Sequence, residues 1–125
     1  MTMLALLLAL DYAETVQHRA LIALIAMACL IAFNLAGVLA RQQGQFRLAE
    51  RHFKHAIAAD ANYGIAHKNL AILYELYLGK PRQAQFHYQR YYALTQDEQA
   101  KIWLALLQQQ VQQQLQQLEQ EDADN

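Results

Sequence analysis

The 125-residue sequence predicts an all-α chain: a short α-solenoid of antiparallel helix pairs, an apolar N-terminal helix in front and a C-terminal capping helix behind. Three observations carry this. Only four Gly and one Pro occur, too few turn residues for a sandwich or barrel of short strands. Apolar residues make up 55% and charged residues 17%, which supports a packed core rather than a disordered chain. A helix–turn–helix pattern also recurs, with Gly37 and Ala71 34 residues apart and Ala49 and Ala84 35 apart.

The front is rich in Leu and Ala, has no Gly or Pro before Gly37, and is expected to be helical in one or two pieces. Met3 to Leu10 is wholly apolar, Asp11 to Arg19 is mixed, and Ala20 to Ala40 is apolar except at Asn34. The last run is long enough to span a bilayer. Arg41-Gln42-Gln43-Gly44-Gln45 is a polar stop. Apolar residues at helical spacing then predict a helix over Phe46–Ala58. Asp60-Ala61-Asn62 reads as a turn, Ile65–Leu78 as a helix, Gly79-Lys80-Pro81 as a break and Arg82–Leu94 as a helix. Thr95-Gln96-Asp97-Glu98 has capping-box form, with Thr95 as cap. It opens a last helix with Ile102, Trp103, Leu106, Leu107, Val111, Leu115 and Leu118 on or near one face. Gln108 to Gln120 contains nine Gln, a low-complexity stretch with irregular coiled-coil spacing.

The expected organisation is therefore an apolar segment over 1–30, two repeats over 31–95 (31–62 and 64–95), a capping helix over 96–118 and an acidic, frayed tail over 119–125. The formal net charge of −1 hides an asymmetry. Residues 1–40 hold only Arg19, Asp11 and Glu14 as charges, residues 41–101 hold nine Lys/Arg and five acids, and the tail holds Glu119, Glu121, Asp122 and Asp124. The near-zero total argues against nucleic acid as partner. One Cys excludes a disulfide framework and a multi-Cys metal site.

The pairs Phe33-x-x-Ala36-Gly37-x-x-Ala40 with Ala49-x-x-x-Phe53-x-x-Ala56, and His67-x-x-Leu70-Ala71-x-x-Tyr74 with Ala84-x-x-x-Tyr88-x-x-Tyr91, resemble the tetratricopeptide repeat. Small residues let the two helices of a pair approach, and Phe53 and Tyr88 fill the space between pairs. The resemblance covers residues 31–95. Departures are His67 at an apolar opening position, Ala40 where a tyrosine is usual, Tyr91 where a small residue is usual, and Ala61 and Gln96 where proline closes the repeat. Tyr91 suggests packing on the capping helix and Trp103. The run from Asn69 to Gly79, with Ala84 and His87 to Tyr91, also resembles small bacterial envelope proteins carrying this repeat.

The resemblance implies a non-enzymatic protein–protein interaction module, a scaffold or adaptor that binds a partner peptide or helix in its concave groove. Carried over by register, that groove is lined by Ile31, Asn34, Val38, Arg41 and Gln42 and by Ile65, Lys68, Asn69, Ile72, Glu75 and Leu76. Amides and cations would hold backbone carbonyls or a carboxylate, and Ile and Val would give apolar contact. The competing reading fills the groove with the chain's own front or tail helix. A carboxylate clamp of the kind some relatives use is not expected, because Asn69 sits at one clamp position but Asn34 and Val38 stand where a Lys and an Asn are needed.

No Gly-rich phosphate loop, nucleophile motif or close carboxylate pair is present, so no enzyme and no cofactor are expected. His52 and His55 are three apart without further ligands, so they read as exposed helix histidines rather than a metal site. His67 reads as a half-buried spacer. Cys29 follows small residues in Ile25-Ala26-Met27-Ala28, a candidate lipidation box. Its leader is long and itself apolar, so a buried structural Cys is the preferred reading. Membrane contact through residues 1–32 is expected, because so long an apolar front exceeds what two repeats can cover. Packing Phe33–Ala40 on the next helix leaves only Ala20–Ala32 for lipid, about 20 Å of helix against a hydrocarbon core of about 30 Å. A partial insertion, or a span that includes Met3–Leu10, reconciles the two. The expected location is the bacterial cell envelope; the alternative is a soluble cytoplasmic or periplasmic protein. The rival functional reading is a small membrane-anchored structural subunit whose front helix packs with other membrane helices.

Overall fold

A computed structural model describes residues 2–125 and contains five helices: α1 (Met3–Gln42), α2 (Phe46–Ala59), α3 (Gly64–Leu76), α4 (Pro81–Thr95) and α5 (Glu98–Asp124). Each helix packs antiparallel on the next in sequence, and α1 also touches α3. The fold is all-α, as expected.

The front is one helix of 40 residues, since nothing between Met3 and Ala36 breaks it. The mixed segment keeps helical geometry, with Thr15 Oγ1 donating to the Asp11 carbonyl at 2.8 Å. The other boundaries follow turn chemistry. Gly79 takes a φ of +62°, a left-handed value that glycine adopts without a Cβ clash. Pro81 opens α4, where its missing N–H costs nothing. The cap of α5 is Asp97 rather than Thr95: Asp97 accepts from the Gln99 N–H at 3.0 Å. Thr95 instead ends α4 and donates to the Tyr91 carbonyl at 2.8 Å, and Gln96 turns the chain with a φ of +56°. The stretch expected to fray after residue 118 stays helical to Asp124. It contains no breaker, although four acids at a helix C-terminus oppose the helix dipole.

The core lies between the two hairpins. Gly37, Ala49, Ala71 and Ala84 are all buried, and Phe53, Leu70 and Leu73 are fully enclosed with Tyr74, Tyr88 and Leu107 around them. Helices approach closely because one partner at each contact is small. At Gly37 this is absolute: a Cβ there would lie 2.5 Å from a Phe53 ring carbon.

Two helices outrun the body, at opposite ends. Every described residue before Leu30 is exposed, and packing of α1 on α2 begins there. The free part of α1 is roughly 40 Å long. α1 taken as a whole is long and apolar enough to cross a membrane, while its free part also carries Asp11, Glu14 and Arg19. At the other end α5, with 27 residues against the 15 of α4, continues past the α3–α4 turn.

Candidate functional site

The groove positions lie on α1 and α3, which touch. The structure joins some of them and commits others inside the body. Asn34 and Asn69 bridge the two hairpins, Asn69 Nδ2 donating to Asn34 Oδ1 at 3.0 Å. Lys68 Nζ stands 5.6 Å from the centre of the Tyr91 ring and 5.3 Å from that of Trp103, a cation held between two aromatic faces. Trp103 in turn leans on Tyr88, with ring centres 5.8 Å apart. Glu75 accepts from the Tyr88 hydroxyl at 2.6 Å. Burial, reinforced by that bond and the Glu75 charge, pushes the Tyr88 hydroxyl far up. Val38 and Ile72 are half-buried against the core. Arg41 is half-buried and its Nη1 has no partner. Ile31 and Ile65 are each 50% exposed and Leu76 is 66% exposed; Gln42 is also exposed. α5 packs on α4 and reaches α3 through Trp103 and Lys68.

Across α2, α3 and α4 a second polar chain links the hairpins. Lys54 donates to Glu50 at 2.7 Å, and the Tyr74 hydroxyl donates to the same carboxylate at 3.2 Å. Burial raises the Glu50 carboxyl, but the bond and charge of Lys54, with help from Tyr74 and Lys80, leave it lowered. Tyr74 stacks on His87, with ring centres 5.7 Å apart. His87 Nδ1 lies 3.0 Å from His67 Nδ1, and His67 Nε2 lies 2.9 Å from the Ala61 carbonyl. The carbonyl can only accept, so Nε2 of His67 carries a hydrogen. In the neutral pair, His87 Nδ1–H then donates to the bare Nδ1 of His67. His67 is fully buried rather than half-buried, because this bond and the Ala61 carbonyl satisfy both its nitrogens. A sequence signal did exist: a histidine at an apolar opening position with another 20 residues on.

Burial, with the neighbouring His67 and Lys54, lowers the His87 imidazole to about 4. The unfolded chain binds this proton as pH falls through about 6.5, and the folded chain not until about 4. Stability is therefore full above about pH 6.5 and is lost as pH falls between the two values. The expected loss is about 1–2 kcal/mol, allowing for the partial exposure of the ring. Thermal melts from pH 7.5 to 4.5 check this: His87→Gln should flatten the trend, and an unchanged slope would contradict the assignment.

His52 also departs from the exposed reading. It is half-buried, its Nδ1 is enclosed without a partner, and Phe33 lies beside both it and His55, with ring centres 6.5 and 5.2 Å away. Among the described residues no three His, Cys, Asp or Glu come together as metal ligands. Cys29 is exposed on α1 rather than buried, because α2 ends before reaching it. No protein-family model matches the chain, and no curated protein matches it.

Proposed function

We propose that the chain is a non-enzymatic, tetratricopeptide-like adaptor, held at a membrane by α1, that binds a partner peptide or helix along the α1–α3 face within a bacterial cell-envelope assembly. The observation that carries this is the pair of small-on-aromatic helix hairpins whose first helices stand side by side. Exposed Ile31, Ile65 and Leu76 on those helices supply apolar contact. Arg41, Lys68 and the Asn34–Asn69 pair supply polar orientation. The Asn34–Asn69 bond and the Lys68 sandwich fix these groups before any partner arrives, which lowers the entropy lost on binding.

Membrane attachment rests on the surface of α1. From Met3 to Met27 its large apolar side chains are 45–81% exposed, far more contiguous apolar surface than water tolerates on a lone helix. The continuous helix lets Met3–Leu10 join Ala20–Cys29 in one insertion. That insertion carries Asp11, Glu14 and Arg19 near its middle, and charges at that depth call for partners. This observation favours a second reading, a structural subunit whose α1 packs with other membrane helices.

One pair of variants separates the two readings. Affinity purification with Lys68→Ala/Asn69→Ala should lose the bound partner, by about tenfold or more in affinity for the groove reading. Loss only on changing residues 20–32, with Lys68 and Asn69 neutral, would replace the groove by the helix. Fractionation with a Cys29→Ser control should leave the chain in the membrane fraction, because attachment here depends on α1 and not on a lipidated thiol. Release by that single change would make Cys29 the anchor, and a soluble wild-type chain would refute attachment.

A further inference from the structure

The overhang of α5 carries an apolar stripe and its own charge pattern. α5 is about twelve residues longer than the α4 it packs against, roughly 18 Å of additional helix. Its apolar stripe does not stop where α4 stops. Leu107 and Val111 are buried, and Leu115 and Leu118 continue the stripe at 38% and 58% exposure. With Pro81 they floor an open cleft of about 420 Å³ at the α3–α4 turn.

Charge around this cleft is laid out in opposite signs. Beyond Leu118 come four acids and no base, and among the described residues none of the four is in an ion pair. The cleft rim carries Arg82, and beside it Lys80, whose Nζ stands 5.9 Å from the centre of the Tyr74 ring. The acids nearest that end of the body are already engaged, Glu50 by Lys54 and Tyr74 and Glu75 by Tyr88.

We propose that a second copy of this chain occupies the cleft, through antiparallel pairing of the two α5 overhangs about a two-fold axis between Leu115 and Leu118. Leu115 of each copy then faces Leu118 of the other, and both are withdrawn from water. The same axis lays the acidic end of each α5 along residues 109–114 of the other, beside its Lys80 and Arg82. A parallel pair would instead set the two acidic ends side by side, which repulsion disfavours. The contact is confined to one helix overhang per copy and the cleft beside it, so a weak, concentration-dependent dimer is expected. It is independent of the groove.

Sedimentation velocity of the full chain in detergent micelles, over roughly a hundredfold range of concentration, tests this. The expected result is a monomer–dimer equilibrium that weakens with added salt. Leu115→Gln/Leu118→Gln should weaken it about tenfold or more. Arg82→Glu, alone or with Lys80→Glu, should weaken it too, and adding Glu119→Lys/Glu121→Lys should restore it. Unchanged circular dichroism and Trp103 emission check that each variant is folded. A monomer at every concentration, a dimer indifferent to both sets of changes, or one abolished only by changes in residues 20–32 would overturn the proposal.

Discussion

Gly37→Leu is expected to destabilise the body of the protein strongly. Even the first added carbon would stand 2.5, 2.6 and 2.9 Å from three carbons of the Phe53 ring, well inside van der Waals contact. The ring cannot retreat, because Phe53 is fully enclosed by the core. The remaining carbons of leucine would have to separate α1 from α2. A loss of about 2–4 kcal/mol is expected, a large part of the stability of a small domain, and a fall in melting temperature of roughly 10 °C or more. Trp103 emission during a thermal melt reads this directly, since helical signal from α1 would persist in detergent. Shrinking the ring should help: Gly37→Ala with Phe53→Leu should cost less than the sum of the two single changes. Strict additivity, or a Gly37→Leu melt like that of the parent, would contradict the contact.

Ala49→Glu is the second large expected effect, and its cause is charge rather than bulk alone. Ala49 is completely buried in the cluster that joins Ala40, Phe53 and Tyr74. A carboxylate there would leave water without gaining a partner, since Lys54 is already bonded to Glu50. An uncompensated charge in such a place costs about 3–5 kcal/mol, enough to prevent folding. Ala49→Ser adds one oxygen and no charge, so it should retain a cooperative melt. Equal behaviour of the two variants would show that the site is open to solvent.

The parts of this fold that were legible from residue order are those set by local rules. Period and punctuation located the five helices, because Gly79-Lys80-Pro81 and Asp60-Ala61-Asn62 break a helix wherever they occur. The recurrence of Gly37 at Ala71 and of Ala49 at Ala84 placed four small residues that are all buried. What escaped was decided by distance in space. Asn34 and Asn69, or Tyr88 and Glu75, meet only after the hairpins stack, and no spacing rule announces them. His67 was underestimated because its partner lies one helix away. Cys29 reads as buried because the segment before it makes a poor lipidation leader, yet burial depends on where α2 ends. Thr95 fits the capping box by spacing, but the left-handed turn at Gln96 separates it from α5 and leaves Asp97 as the cap.

The two overhangs have a mechanical consequence. α1 leaves the body at one end and α5 at the other, and each helix packs antiparallel on its neighbour in sequence. Tension applied between the far tips would slide neighbouring rods past each other along their full contact instead of peeling them apart turn by turn. Sliding loads every contact of a seam at once, so greater resistance to stretching is expected in this direction than across it.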